Sequence, residues 1–542
     1  MHIRGISDPD NVESFLAPSL GQLRDPSNMK GMKDACERIA DAIEKTEKIG
    51  IFTDYDVDGV CSAALIHRFL VKIGYMPPSV FIPDRTTDGY GLNKRGIDEL
   101  HNQGVTLLIT SDCGITACAE VDYAKEIGMD VIITDHHEIG DQLPEALSII
   151  NPKLTDCPFH GEDLCGAGVV FHMIVSLRAC LRHRGMEGLP NLKGDLDLVA
   201  MATVADVVSL SGINRILVKQ GLNVLNSASS TGISALAEVS GLKRKVITRD
   251  IGFILSPRIN AAGRIDDARK AFNLLTTEDY KDAVRIAREL DALNRQRRSR
   301  EQEVLQEALS MVDHGADFGN VIVAAGTGWH AGVVGIVASR LASLFNKPSI
   351  VISITDGVGM GSGRSVEGLD LHAALIGVSC MLKGFGGHKM AVGLTIDESQ
   401  ILPFANAIDG VIQKKRQKQA GHFEIDFKIT PYDISPDFLR ELELLEPFGE
   451  GNPEPVFMIP SMEVVGTKRF STGGVKFLLR HSDRVFHSLG CNVDFDIKDM
   501  SRYVDVAFTP VKRRFNGHSY LYLSLKAMCP VRQNHEPFLS EQ

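Results

Sequence analysis

The sequence predicts an α/β protein with a parallel sheet in its first half and a small β barrel near its carboxyl end. Five short apolar runs lie between residues 49 and 150, and amphipathic segments separate them, a pattern typical of parallel strands joined by helices. From about Gly421 the pattern changes to short alternating runs, which favours a barrel. A chain of 542 residues that is 44% hydrophobic has room for about three domains.

The composition indicates a cytoplasmic protein whose cysteines are reduced. No run of about 18 apolar residues occurs and the start, MHIRGISDPDN, lacks a signal-peptide pattern, so we expect a cytoplasmic protein without a membrane segment. Ten cysteines without a CxxC pair indicate reduced thiols rather than disulfides or a zinc ribbon.

Charge is distributed unevenly along the chain. The net charge of −11 argues against a polyanionic partner. Residues 243–300, however, contain 15 Lys and Arg against 8 Asp and Glu. This basic band is compatible with a nucleic-acid groove, although solvated helix faces give the same count.

Each predicted strand of the first half ends in polar residues. A helix over Lys30–Lys48 leads into the first strand, and the later strands are predicted over Ser79–Pro83, Val105–Thr110, Val131–Thr134 and Leu147–Ile150. The residues that follow the five strands are Asp54, Asp56 and Asp58; Asp84 and Arg85; Asp112; Asp135, His136 and His137; and Asn151. Because sites form at the carboxyl ends of parallel strands, we expect these side chains to share one site.

Two helical segments follow. Residues 196–210 read as an apolar helix interrupted by Asp206, and a buried aspartate needs a ligand or a hydrogen-bond partner. The periodicity from Thr276 to Val312 predicts one long helix that joins two domains.

A second domain is predicted from the strands Val321–Ala324 and Ser349–Ile354. The segments GVGMGSGRS and GFGGHKMAVGL are interpreted as glycine-dense turns whose backbone N–H groups approach an anion, or as mobile loops. Arg364 and His388 within them favour anion binding.

The barrel is predicted from five runs, and Asn516-Gly517 indicates a hairpin turn between the last two. Lys512, Arg513 and Arg514, beside Phe515, Tyr520 and Tyr522, suit backbone pairing and base stacking in an OB-like barrel. Ordinary surface charge explains the same residues nearly as well.

Three aspartates at alternating positions require a compensating cation. The stretch Asp54-x-Asp56-x-Asp58-Gly59 matches half of an EF-hand loop, but Leu65 replaces the twelfth-position glutamate and a strand precedes it, which disfavours calcium. Carboxylates and imidazole without thiolate suit Mn²⁺ or Mg²⁺ better than Zn²⁺. Two such ions would favour hydrolysis of a phosphate ester.

Several motifs resemble a known family. FTDYDVDG, SDCG, TDHH and ATVAD resemble the four motifs of the DHH phosphoesterase superfamily, and GFGGHKMAVG resembles the GGH signature of its associated domain. Within that superfamily, SPRINAAGRIDDA, GWHAGVVGIVASRL, GSGRS and LLEPFGEGNPEPVF are similar to the RecJ family of single-strand-specific 5′ to 3′ DNA exonucleases. The resemblance implies a DHH catalytic domain at 1–275, a connecting helix at 276–315, a DHH-associated domain at 316–419, an OB-like domain at 420–532 and a tail at 533–542.

The resemblance also implies roles for individual residues. The metal ligands are expected to be Asp56, Asp58, Asp112, His136 and Asp206, with Asp112 as the bridge. Asp54 is expected in or beside the metal site, since Phe52 stands where many relatives have a histidine. His137, Asp112 and Arg264 are the expected catalytic residues, and the DNA contacts are expected from Arg258, Asn260, Arg264, His330, Ser362, Arg364 and His388.

The function that the resemblance implies is release of 5′-mononucleotides from single-stranded DNA with two Mn²⁺ or Mg²⁺ ions, in repair and recombination. A monomer that works with a RecQ-type helicase and a single-strand-binding protein is expected. The alternatives are another DHH phosphodiesterase, such as an oligoribonuclease or cyclic dinucleotide phosphodiesterase, and an inactive DNA-binding scaffold.

Overall fold

A computed structural model describes residues 2–85, 87–227, 229–313, 319–415, 424–470, 475–490, 502–515 and 518–531 of the chain. The contacts divide it into two units. The larger unit comprises residues 23–208 and 212–419, and the smaller comprises residues 1–22, 209–211 and 420–542.

The first sheet of the larger unit confirms the five predicted strands. They are β1 (Lys48–Thr53), β2 (Ser79–Phe81), β3 (Val105–Ser111), β4 (Asp130–Thr134) and β5 (Ser148–Ile150), all parallel, in the order β2-β1-β3-β4-β5. In this register Thr53 pairs with Ser111, and Ser111 pairs with Thr134. The three central strands therefore end level, and the residues after them meet at one edge.

The described residues of both units also form α-helices. They are α1 (Pro9–Leu16), α2 (Met32–Glu44), α3 (Val57–Lys72), α4 (Lys94–Asn102), α5 (Cys118–Glu126), α6 (Gly166–His183), α7 (Leu196–Ala205), α8 (Gly212–Ser227), α9 (Thr231–Val239), α10 (Thr248–Asp250), α11 (Ser256–Ile265), α12 (Arg269–Thr276), α13 (Tyr280–Asp313), α14 (Ala331–Phe345), α15 (Leu371–Ile376), α16 (Ile401–Lys415) and α17 (Pro436–Leu444).

Two helices differ from the predictions. Helix α7 ends at Ala205 and Asp206 caps it, so the aspartate terminates the helix and does not interrupt it. The predicted long helix is α13, which has 34 residues and begins at Tyr280, because α12 forms a separate helix before it.

The second sheet of the larger unit contains β6 (Ile322–Thr327), β7 (Ser349–Thr355), β8 (Val358–Arg364), β9 (Gly384–His388) and β10 (Ala391–Asp397), in the order β6-β7-β8-β10-β9. The prediction of glycine-dense turns was wrong for the first segment, which forms β8, and partly right for the second, in which a turn at Lys389 and Met390 joins β9 to β10. A Cβ atom on Gly359, Gly361 or Gly363 would lie 2.6–2.8 Å from side chains of the neighbouring strands. These glycines therefore provide room for packing rather than turn conformations.

The smaller unit contains the predicted barrel. Its strands are β11 (Phe427–Lys428), β12 (Phe457–Arg469), β13 (Val475–His481), β14 (Arg484–Gly490), β15 (Tyr503–Phe515) and β16 (His518–Pro530). The order is β11-β12-β13-β14-β16-β15, and β15 also pairs with β12, which closes five strands around a core that includes Phe457, Phe477 and Phe508. Asn516 and Gly517, the predicted turn, lie outside the described residues.

Two further expectations concern cysteines and membranes. The nine cysteines within the described ranges are all free. None of the described helices is both long and apolar enough to cross a membrane.

Close packing of α9 on α12 gives a test of the larger unit. A Cβ atom on Gly232 would lie 1.9 Å from the backbone oxygen of Leu274. We expect Gly232→Ala to destabilise this unit by about 1–3 kcal/mol, because one of the two backbones must move. Gly410→Ala in α16 is the matched control, since a Cβ there meets nothing within 4 Å and alanine favours helix. Equal melting temperatures for the Gly232→Ala and Gly410→Ala variants would contradict this close packing of α9 on α12.

Candidate metal centre

Seven titratable side chains meet at the carboxyl edge of the first sheet. Asp54 follows β1, Asp112 follows β3 and the histidines follow β4, whereas Asp206 is at the end of α7. Three sets have ligand atoms within 4.8 Å of one another: Asp112, His136 and His137; Asp58, His136 and Asp206; and Asp54, Asp56 and Asp112. The structure therefore brings together every residue that was predicted as a metal ligand.

Backbone N–H groups hold two of the aspartates. Asp56 caps α3, where its Oδ1 accepts hydrogen bonds from the N–H groups of Asp58 (2.9 Å) and Gly59 (3.1 Å). The Asp58 carboxylate accepts bonds from the N–H groups of Gly166 (2.5 Å) and Ala167 (2.7 Å) at the start of α6. A helix N-terminus favours a negative charge, which partly compensates Asp58.

Asp112 is at the centre of the cluster. Its backbone has φ 61°, an unusual value for a residue other than glycine, and a Cβ atom on Gly166 would lie 2.7 Å from the Cβ of Asp112. Only glycine at position 166 allows α6 to approach this closely. Burial, followed by the charges of Asp58 and Asp56, raises the pKa of Asp112 well above its usual range.

The other carboxylates are affected in the same way. Burial and then the Asp56 charge raise the pKa of Asp58 to about 7, and burial and then the Asp58 charge raise the pKa of Asp206 to about 8. The pKa of Asp54 is also raised well above its usual range, first by burial and then by Asp56. The buried Oδ1 of Asp54 has no hydrogen-bond partner among the described residues. A cation would relieve all of these costs.

The two adjacent histidines lie in opposite electrostatic environments. Burial, and then the His137 charge, lower the pKa of His136 to about 3, so this imidazole is neutral. Its Nε2 lies 3.1 Å from Asp112 Oδ1 and 3.7 Å from carboxylate oxygens of Asp58 and Asp206. A neutral imidazole that faces three carboxylates is a suitable metal ligand.

His137 is held by Asp135, a residue that the sequence placed at the site without a role. Burial alone would lower its pKa, but the hydrogen bond and charge of Asp135 raise the pKa of His137 to about 8. Asp135 Oδ1 lies 2.7 Å from His137 Nδ1, and the buried carboxylate also accepts N–H bonds from Ile115, His136 and His137. The only sequence signal for Asp135 was its place at the end of β4. The Tyr90 hydroxyl, 3.1 Å from His137 Nε2, was missed.

Phe52 cannot be a ligand in this fold. Its side chain is fully buried and stacks on Phe81 with ring centroids 5.0 Å apart. The position that a histidine occupies in many relatives is therefore part of the hydrophobic core here.

In the larger unit, the positive charge of Arg85 affects the pKa values of two other arginines, Arg264 and Arg364. The pKa of Arg264 is lowered to about 10 by burial and then by the charges of Arg85 and Arg297. The pKa of Arg364 is lowered by burial and then by Arg85. Arg364 Nη1 also donates to Ser362 Oγ at 3.0 Å. Arg85, which was not among the predicted DNA contacts, therefore joins Arg264, Ser362 and Arg364 in a region that favours an anion.

The remaining predicted DNA contacts have partners within the protein. Arg258 pairs with Asp291 at 3.0 Å, and Asn260 Oδ1 accepts a bond from the N–H of Val57 between two of the aspartates. His330 caps α14 by accepting the N–H of Gly332. His388, on β9, is exposed, and its charge lowers the pKa of Glu138, after the larger effects of Lys153.

Sequence profiles of known families match three parts of the chain. The "DHH family, N-terminal domain" matches residues 48–203, the "DHHA1 domain" matches residues 318–414, and the "RecJ OB domain" matches residues 425–527.

Individual relatives match most of the chain. It is 35% identical over 496 residues to the single-stranded-DNA-specific exonuclease RecJ of Bacillus subtilis, a match that covers 90% of this chain and 62% of that protein. It is 37% identical to RecJ of Escherichia coli over 79% of this chain and 78% of that one.

Solved structures agree with these matches. The crystal structure of RecJ in complex with Mn²⁺ from Thermus thermophilus is 30% identical with a TM-score of 0.84 and covers 99% of this chain and 75% of its own. That of the same enzyme with Mg²⁺ is 28% identical with a TM-score of 0.78, at 98% and 74% coverage. The order of the three domains, the extent of identity and the fold place this chain in the RecJ family of the DHH superfamily.

Proposed function

We propose that this protein is a metal-dependent exonuclease that releases 5′-mononucleotides from single-stranded DNA in the 5′ to 3′ direction, in repair and recombination. The observation that carries this proposal is the buried cluster of aspartates around the neutral His136. The RecJ relatives of this chain are described as single-stranded-DNA-specific exonucleases, which supports the substrate and the reaction class.

The residues of the cluster fit two divalent cations. The unpartnered Oδ1 of Asp54 and the raised pKa values of Asp58, Asp112 and Asp206 are the properties expected of carboxylates placed to bind cations. Oxygen and imidazole donors without thiolate suit Mn²⁺ or Mg²⁺, the ions of the Thermus structures.

Five residues are proposed as ligands, and a sixth is placed beside them. Asp112 would be the ligand shared by two cations, because among the carboxylates of the three sets of close ligand atoms it alone belongs to two. Asp54 is placed in or beside the site, because one of its carboxylate oxygens lies within 4.8 Å of ligand atoms of Asp56 and Asp112. The proposed ligands are Asp56, Asp58, Asp112, His136 and Asp206.

The chain supplies the remaining groups for a phosphodiester. Two cations held at this site would lower the pKa of a water molecule and neutralise charge on the phosphate. His137 carries a hydrogen-bond donor to the scissile phosphate, and Asp135 fixes its orientation through the 2.7 Å contact. Arg85, Arg264 and Arg364 bind phosphate oxygens near the scissile bond, while Ser362 holds Arg364 in place.

Other predicted contacts act in different ways. Asn260 positions the aspartate loop through Val57, and Arg258 is neutralised by Asp291. We therefore assign them to support of the site, with His330 as a helix cap and His388 as an exposed phosphate contact. Such contacts position a strand without reading its sequence.

The alternatives have less support. The RecJ OB profile at residues 425–527 disfavours an oligoribonuclease or cyclic dinucleotide phosphodiesterase that contains only the first two domains. The complete set of acidic and imidazole ligands disfavours an inactive scaffold. The cytoplasmic location, the monomeric state and the helicase and single-strand-binding partners stay predictions.

Substitution of the central carboxylate tests the metal site. In Asp112→Asn we expect hydrolysis to fall to background while single-strand binding persists, because the DNA contacts are separate side chains. In chelator, this variant should melt at a higher temperature than wild type, since one of the repelling charges is gone. It should also gain less stability from Mn²⁺. Asp122→Asn on α5, an exposed aspartate, is the control, and equal Mn²⁺ effects in the two variants would refute the assignment.

The orientation of His137 can be tested through Asp135. We expect Asp135→Asn to lower the rate of hydrolysis about 100-fold, as for a misplaced acid–base group. Loss of the carboxylate also removes the interaction that raises the pKa of His137. The alkaline decline of activity should therefore move to lower pH. A pH–rate profile with unchanged shape would show that Asp135 only stabilises the fold.

Strand specificity and direction are tested with end-labelled DNA. A 5′-labelled single strand should release labelled mononucleotide at once, whereas a 3′-labelled strand should shorten progressively. Blunt duplex should be degraded much more slowly under the same conditions with Mn²⁺ or Mg²⁺. Equal rates on duplex and single strand, or release from the 3′ end, would overturn the proposed substrate.

A further inference from the structure

One part of the basic band carries exposed cations that the proposed function has not used. In residues 243–253, Lys243, Lys245 and Arg249 are exposed, and no carboxylate of the described residues forms an ion pair with them. Arg244 differs from them because it pairs with Asp250 at 2.6 Å. We call residues 243–253 the basic–aromatic segment.

The same segment exposes a large aromatic side chain. Phe253 is 71% exposed, although it lies between Ile251 and Leu255, which are fully buried. Residues 251–255 form a π-helix. Such turns are rare and occur frequently at functional sites. The π-helix therefore anchors Phe253 on both sides while its ring stays in solvent.

The segment is attached to elements of the metal centre in two ways, both at its carboxyl-terminal end. A Cβ atom on Gly252 would contact Val204 at 3.9 Å, and Val204 lies two residues before Asp206. Val207, directly after Asp206, has φ 60° and is 63% exposed. That conformation is a true outlier for a β-branched residue.

The following helix makes the second attachment. Helix α11 continues from the π-helix, and its Asn260 binds the backbone of Val57 between Asp56 and Asp58. Gly263 of the same helix lies against Tyr55, since a Cβ there would be 2.6 Å from the Tyr55 oxygen. The basic–aromatic segment is thus continuous with a helix that contacts the loop carrying Asp56 and Asp58.

We propose that the basic–aromatic segment binds single-stranded DNA outside the catalytic cluster. Phe253 offers an aromatic face to one nucleobase, and Lys243, Lys245 and Arg249 bind phosphates of the backbone. Aromatic stacking with flanking cations is the usual way to hold a single strand without sequence preference. This inference rests on the proposed function, because it takes the same substrate.

Binding measurements with substitutions at Phe253 test the stacking. The probe is a fluorescent oligothymidylate with phosphorothioate linkages, which remains uncleaved, with the full chain and Mn²⁺ present. We expect Phe253→Ala to weaken binding about tenfold, which is the usual effect of losing one stacked base, and Phe253→Trp to retain it. Leu402→Ala on α16 is the matched control, because Leu402 is 73% exposed and is not aromatic.

The cations are tested by the salt dependence of binding. The triple variant Lys243→Ala, Lys245→Ala, Arg249→Ala should reduce the slope of log affinity against log salt by about 2, as expected for three lost phosphate contacts on a single strand. Phe253→Ala should lower affinity without changing that slope. Alanine at Lys33, Lys45 and Lys193, three other exposed lysines, is the control and should leave the slope unchanged.

The outcomes separate this inference from the proposed function. If Phe253→Ala binds like wild type, or no more weakly than Leu402→Ala, the segment serves another macromolecule and the inference is overturned. Cleavage of an unmodified strand by wild type is measured separately. Binding that depends on Phe253 without any cleavage would support the inference and refute the exonuclease proposal.

Discussion

Mutual repulsion among buried carboxylates is the constraint on which the site depends. Asp58, Asp112 and Asp206 have raised pKa values because each is buried beside the others, and such an arrangement costs folding free energy unless a cation is bound. The fold offsets part of this cost with the N-terminus of α6, whose N–H groups bind Asp58. Gly166 is necessary for that approach, since any side chain there would meet Asp112. Because the parallel strands end at the same level, the residues that follow them are buried together and repel one another.

The two neighbouring histidines show how hydrogen bonding assigns different roles to identical side chains. The imidazole of His136 is buried and lacks the hydrogen bond to the Asp135 carboxylate that the imidazole of His137 makes, and its pKa falls to about 3. His137 is next in sequence, yet the Asp135 carboxylate lies 2.7 Å from its Nδ1 and raises its pKa to about 8. One imidazole is therefore suited to bind a cation and the other to face an anion. This division of roles depends on a single buried aspartate that itself accepts four hydrogen bonds.

The strands and the ligand residues could be predicted because each ligand directly follows an apolar run, and parallel strands end at one edge. Other features depend on contacts between distant parts of the chain. Gly359, Gly361 and Gly363 led to a prediction of turns. The structure needs glycine at these positions because side chains of adjacent strands leave no room for a Cβ atom. Arg258 was predicted to contact DNA, but its partner Asp291 lies 33 residues later on another helix. Arg85 was expected at the strand-end site but not as a DNA contact, since only the fold brings it near Arg264 and Arg364. Patterns along the chain identify which residues are polar, but they do not show which distant residue forms an ion pair or a hydrogen bond with each of them.

Local charge, rather than net charge, determines which surface of this acidic protein suits a polyanion. The count of 15 basic residues in residues 243–300 does not distinguish cations that are paired with carboxylates from cations that are not. Six of them form ion pairs with carboxylates of this region or of the adjoining Glu301: Arg244, Arg258, Lys270, Arg285, Arg295 and Arg297. These pairs reduce the field that a strand would experience from six of the fifteen cations. Lys243, Lys245 and Arg249 are exposed beside Phe253 without such pairs, so the positive field persists where a nucleobase also has an apolar face to contact. A phosphate backbone needs cations that are not already neutralised, and the structure leaves them next to the elements of the metal centre.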